Sequence, residues 1–251
     1  MMLSGQRDEL RAVGVDLACL CGSLAHMIRQ TGDAHAYFAL AVKLAKDAGG
    51  GMLLARALRS ESLLYGLAAG GDSRTALRLL NQAAADTPAG IVSACNRMGI
   101  AEHHAALGER DPCLRAMEAA VRQLDGPDGD GFLSTRGYFA GWDEWAWTGW
   151  RGWCHALLKD SDRAFRELPT PDPQAPPRRQ VIASVNVALA HGVAGDPEPA
   201  CAAALSAVEE SERHGYVGGY EKVRFVVARF DPAWVGRSDM VELNERLRLL
   251  G

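Results

Sequence analysis

Strand-like patterning is nearly missing from this chain of 251 residues. The longest β-like run, Val223-Arg224-Phe225-Val226-Val227, continues a helical pattern that starts at Tyr220, so almost no sheet is expected. Excess positive charge is missing as well: 27 basic residues face 31 acidic ones, and only Arg178-Arg179 brings two cations side by side. That balance excludes a duplex-binding surface, and no direct nucleic acid binding by this chain is expected. No uninterrupted apolar run reaches ~18 residues, and the start, Met1 to Arg11, is polar. Neither a membrane span nor a signal peptide is expected, which makes the predicted location cytoplasmic. A Gly-rich phosphate cradle, a G-x-S-x-G elbow and paired-cysteine zinc spacing are all absent, so the expectation is no cofactor, no metal and no catalytic residue.

What is present is alanine at regular intervals. Ala76, Cys113, Ala164 and Ala200 follow one another 37, 51 and 36 residues apart, and two of those intervals are close to ~34, the tetratricopeptide unit length. Ala76/Leu80/Ala83, Cys113/Met117/Ala120 and Ala200/Ala204/Ala207 each fall at i, i+4 and i+7, one face of a helix. Small side chains on that face let the second helix of a pair lie close against the first. A break just upstream supplies the turn and the cap: Gly32-Asp33, Gly71-Asp72 and Gly195-Asp196, with weaker versions at Gly108-Glu109 and Lys159-Asp160.

These signals predict five helix pairs: Asp8–Thr31 with Ala34–Asp47, Leu53–Ala69 with Ser73–Ala85, Ile91–Leu107 with Asp111–Leu124, Trp142–Leu158 with Ser161–Glu167, and Arg178–Val193 with Pro197–His214. Asp239–Leu250, with Leu243, Leu247 and Leu250 at helical spacing, predicts a capping helix. Two stretches break the rhythm, a Gly/Asp-rich loop from Asp125 to Gly141 and the run Pro169 to Pro177, which carries five of the eleven prolines and predicts an extended connector. The predicted fold is all-α, a tetratricopeptide-like right-handed α-solenoid of about five helix hairpins plus the capping helix, forming a single domain over residues 1–251. The six cysteines lie inside helical segments, as reduced buried thiols do.

The order of several segments carries a resemblance. They are Thr31-Gly32-Asp33 with Tyr37-Phe38-Ala39-Leu40-Ala41, Gly71-Asp72 with Ala76-Leu77, Trp142-Asp143-Glu144 leading to Gly152-Trp153-Cys154-His155, and Pro177-Arg178-Arg179 before Ala194-Gly195-Asp196. Together they resemble the tetratricopeptide-like C-terminal region of actinobacterial Xre-type helix-turn-helix transcriptional regulators. The first repeat helix is expected near Asp8, which leaves no room in the chain for a DNA-reading domain. The resemblance implies a regulatory or sensor module that holds a small molecule, a peptide or a protein in a concave groove.

Five tryptophans, Trp142, Trp145, Trp147, Trp150 and Trp153, fall within twelve residues. Trp142, Trp145, Trp150 and Trp153 share one broad side of a helix, with Trp147 further round. Two readings stand: they fill a wide gap in the core, or they face a ligand. His104, His155 and His191 each precede their turn by four residues; a packing role and a pH-responsive groove are the two readings, because equivalent side chains ~10 Å apart cannot share a metal ion. A calcium loop at Gly126 to Gly137 fails at its first and twelfth positions. The candidate ligand-binding residues are therefore Trp142, Trp145, Trp150, Trp153, His104, His155 and His191. A small-molecule biosynthetic enzyme on the same scaffold is the rival, with Asp143, Glu144 and His155 as its groups. A scaffold forming a homodimer is a third reading.

Overall fold

The structure, a computed structural model, describes residues 2–67, 71–85, 87–124, 143–170 and 172–250, with side chains from residue 9. Twelve α-helices and no strand occur among the described residues: α1 (Met2–Met27), α2 (Thr31–Asp47), α3 (Gly51–Ser62), α4 (Ser73–Ala85), α5 (Ile91–Ala106), α6 (Arg110–Leu124), α7 (Glu144–Leu157), α8 (Ser161–Glu167), α9 (Pro177–Ala194), α10 (Pro197–His214), α11 (Val217–Val227) and α12 (Ser238–Leu249). The chain is all-helical, and the Val223–Val227 run is helix as expected. It divides into two compact units, Met1–Asp143 and Glu144–Gly251.

In the first unit α1 packs on α2, α3 on α4 and α5 on α6, and each pair also touches the next in sequence. In the second, α7 packs on α8 and α9 on α10, α7 and α9 and then α9 and α11 lie side by side, and α12 rests on α10. Connections of a few residues make the two helices of each pair antiparallel.

A left-handed residue stands in the turn of all five pairs. Arg29, Gly71, Gly108, Lys159 and Gly195 have φ of 62°, 67°, 75°, 60° and 87°, the left-handed region that reverses a helix end. In four of them the amide of the next residue bonds back to the first helix, Gln30 N to Ala25 O, Glu109 N to His104 O, Asp160 N to His155 O and Asp196 N to His191 O, whereas Gly71 donates its own amide to Gly66 O, beyond the end of α3. Five residues after each left-handed position sits a small side chain, Ala34, Ala76, Cys113, Ala164 or Ala200, and all five are 0% exposed. Bulk at that point would push the helix pair apart, so the small residue sets the spacing. Asp72 Oδ1 accepts the Thr75 amide at 3.1 Å and Asp160 Oδ1 the Arg163 amide at 3.3 Å, each cap contributing about 1 kcal/mol.

Three expectations are corrected, and one helix segment bears weakly on the expectation of no membrane span. Gly32-Asp33 lies within the first turn of α2, and the break stands at Arg29-Gln30, where an arginine takes the left-handed conformation. α3 ends at Ser62 in a 3-10 turn, Leu63–Tyr65, instead of running to Ala69. The proline run is not a plain extended connector: Ala175 N bonds Asp172 O at 3.0 Å, and Gln180 Nε2 ties the bend down through Pro173 O and Ala175 O. Glu9–Met27 is long and apolar enough, by length and composition, to cross a membrane, with mean hydropathy 1.3, because its three carboxyl and guanidinium groups are outnumbered by Leu, Val, Ala and Cys.

All six cysteines are free and five of them are buried. Burial pushes the Cys95 thiol up to about 12 and the Cys201 thiol to about 11, so both stay protonated.

Candidate functional site

The aromatic residues predicted as a site sit on α7, in the second unit. Trp142 lies outside the described residues. Of the others, Trp147 and Trp153 are buried, whereas Trp145 and Trp150 are half-exposed. The stripe therefore splits: part of it is core, and part borders the surface.

Small residues on the same helix bring its neighbours close. A Cβ on Gly152 would lie 2.6 Å from Leu168 Cδ2, and Gly149 leaves its carbonyl open to Asn186 of α9, whose Nδ2 donates to it at 3.1 Å. Arg151 Nη2 pairs with Glu167 Oε1 at 2.7 Å, fixing α7 to α8. α7 is held on two sides.

Cations from the next two helices of the layer lie over the rings. The Arg179 guanidinium carbon of α9 is 5.2 Å from the centroid of Trp145, and Lys222 Nζ of α11 is 5.9 Å from that of Trp153. Phe225 stacks on Trp153 at 5.8 Å between centroids, and Arg178 lies 5.9 Å from the Tyr216 ring. The Trp145 indole N–H is buried without an acceptor, an arrangement that costs about 1–3 kcal/mol unless something supplies one. The rings and the cations over them make this part of the surface aromatic and cationic. It suits an anionic ligand that carries carboxylates.

The three histidines occupy equivalent places and differ in their surroundings. Nδ1 of His104 is 2.5 Å from Glu109 Oε2, and Nδ1 of His191 is 3.3 Å from Asp196 Oδ2, each carboxylate five residues on, just past the turn. The His191 ring also packs at 4.7 Å on Phe165. His155 is buried and its Nδ1 has no partner. Burial holds its pKa below the ordinary imidazole value, against the opposing pull of Asp160 and Glu167. His104 belongs to the first unit; His155 and His191, with the tryptophans, belong to the second.

Glu144 and His155 stand at opposite ends of α7, ~16 Å apart along the axis at 1.5 Å per residue, so they do not converge as an acid and base. No group of three or more His, Cys, Asp and Glu side chains able to hold a metal ion comes together among the described residues. The calcium-loop reading at Gly126 to Gly137 falls outside them. In the first unit a cavity of about 340 Å³ borders Ala39, Val42, Lys43, Lys46, Asp47 and Glu61, with Lys43 and Asp47 paired at 3.2 Å. Opposite charges line it in equal number.

Reasoning from sequence missed Arg179, Lys222 and Phe225. The Arg178-Arg179 pair was the available signal, being the one place where two cations adjoin; Lys222 and Phe225 had none. Comparison with protein-family models, with curated proteins and with solved structures finds no match.

Proposed function

We propose that the chain is a regulatory module of tetratricopeptide-like repeats, its hairpins stacked within each unit as a right-handed α-solenoid. It holds an acidic peptide or protein segment along the layer formed by α7, α9 and α11. This reading keeps the resemblance to the C-terminal region of Xre-type regulators and the cytoplasmic location. The observation that carries it is the placing of Arg179 and Lys222 over Trp145 and Trp153, cations from two successive helices on rings of a third. Side-by-side first helices present one residue row each, so an extended ligand crossing them would meet Trp145, Arg179 and Lys222 in turn. The five left-handed turn residues, each followed five places on by a small residue at 0% exposure, support the repeat reading. The Trp145 ring supplies contact area, the buried Trp153 ring positions Lys222, and the cations supply sign.

Tryptophan fluorescence tests this directly. Titration with ten-residue peptides of matched length should change emission for peptides rich in Asp and Glu and leave it unchanged for lysine-rich ones. Arg179→Ala should weaken the acidic peptide about tenfold or more, the usual range for a charge-assisted contact. Equal responses to both peptide classes, or to neither, would rule the reading out.

A further inference from the structure

Helix α1 buries one face and leaves the opposite one apolar. Val15, Ala18, Cys19 and Ala25 are buried in the first unit, where α1 packs on α2 and α3, and the ring of Phe38 lies against Gly22. On the far side Leu10, Val13, Leu17, Leu20, Leu24 and Met27 are 72, 55, 56, 49, 51 and 38% exposed, and Ile28 extends the row at 61%. From Leu10 to Met27 the spacing alternates three and four residues without a slip, the a/d pattern of a heptad repeat. At 100° per residue the six helical members lie within an arc of about 100°, the narrow seam of a helix pair. Single exposed leucines need no explanation, but a continuous row does.

We propose that this stripe pairs with the same stripe of a second copy of the chain. The area fits. Taking on the order of 80–100 Å² of apolar surface from each side chain, the stripe offers roughly 600 Å² per copy. Doubled across the pair, that clears the ~1,000 Å² a specific interface needs and stays below the standard size, so the dimer is reversible. The flanks fit too. Gly14 and Cys21 border one side and Ser23 the other, small and uncharged, so two backbones can approach closely along the middle of the stripe, with Glu9 at its N-terminal end on the Met27 edge. The Asp16 carboxylate on that side is held by Arg56 of its own copy.

A second copy suits the stripe better than a lipid surface does. A spanning helix is apolar all round, whereas the opposite face of α1 is already occupied by its own unit, and Glu9, Arg11 and Asp16 lie within the stretch.

Sedimentation velocity between about 1 and 100 µM, the range over which a micromolar pair changes occupancy, tests the pairing. The wild-type mass should rise from 26.9 kDa toward twice that. Leu17→Glu/Leu24→Glu should stay at 26.9 kDa with unchanged helical circular dichroism, since both side chains are half-exposed in the single unit. Leu17→Ala/Leu24→Ala should dimerise at least tenfold more weakly, so the reading does not depend on introduced charge. A wild type that remains monomeric throughout, or a dimer that survives both double variants, would overturn the proposal. So would a monomer that co-sediments with phosphatidylcholine vesicles and loses that binding in Leu17→Glu/Leu24→Glu, which would give the stripe to a membrane.

Discussion

The two units use one hairpin device and fill it differently. In the first, Met1–Asp143, alanine makes up half of the buried apolar set and Phe38 is its one buried aromatic ring among the described residues, while buried polar groups occur in both units, Asn96 and His103 here and His155 and Asn186 in the other. In the second, Glu144–Gly251, large rings take over, with Trp147, Trp153, Phe230 and Trp234 buried and Trp145 and Trp150 at the margin. The turn and the small residue after it are shared, because they set the distance between helices. The larger positions only have to fill what remains, so they are free to differ. Both proposed binding surfaces, the rings on α7 and the leucine row on α1, draw on that freedom.

The largest break in the comparison should come from crowding a close approach. Gly22 and Gly152 stand at equivalent places, seven residues before their left-handed turns, and a Cβ on either would come within 2.6 Å of Phe38 or of Leu168. Gly152→Leu should lose about 3 kcal/mol of stability in urea unfolding, since the Leu168 backbone amide stands 3.1 Å away and cannot rotate aside. Gly22→Leu should lose less, as the Phe38 ring can shift. Equal and negligible losses would mean that these helix pairs do not lie so close.

A smaller effect should appear on acidification. Burial lowers the pKa of His103 in the first unit and of His155 in the second. Below the unfolded value of 6.5 the unfolded chain takes up protons that the fold refuses, so stability present at pH 7 falls as pH drops from 6.5 toward the depressed folded values. The urea midpoint should therefore be lower at pH 5 than at pH 7. His103→Gln and His155→Gln should each flatten that profile. His103 has the Ser73 hydroxyl at 3.1 Å and His155 Nδ1 has nothing, which makes the loss at pH 7 greater for His103→Gln. A profile unchanged in both variants would contradict the buried placement.

The smallest effect sharpens the comparison between turns. Lys159 adopts φ of 60° where Gly108 and Gly195 stand in the neighbouring hairpins. Lys159→Gly should raise stability by about 0.5–1 kcal/mol, the relief of left-handed strain less the added freedom of the unfolded chain. A loss instead would show that Lys159 does not occupy that conformation.

Much of this was legible beforehand. Ala76, Cys113, Ala164 and Ala200 announced the hairpins because a small residue at a fixed offset from a turn has one geometric use. Gly71, Gly108 and Gly195 announced the turns because glycine enters the left-handed region without a Cβ penalty. Arg29 gave no such sign, and Gly32-Asp33 nearby imitated the break so well that it masked the true one. The tryptophan cluster was visible, but not its division, because which rings are covered depends on α9 and α11 arriving over them. The cations on the rings were invisible for the same reason: Arg179 and Lys222 are separated in sequence from Trp145 and Trp153 by 34 and 69 residues. The leucine row on α1 was readable as a heptad and went unread because a helix stripe ordinarily faces its own core.

The most direct measurement compares Ala76→Leu with Ala200→Leu by urea unfolding, one substitution in each unit, both at the fifth residue past a left-handed turn and both at 0% exposure. A shared hairpin predicts that both lose stability, by about 1–3 kcal/mol each. If either variant unfolds at the wild-type midpoint, the small residue is not setting the helix spacing there, and the two units do not share one device.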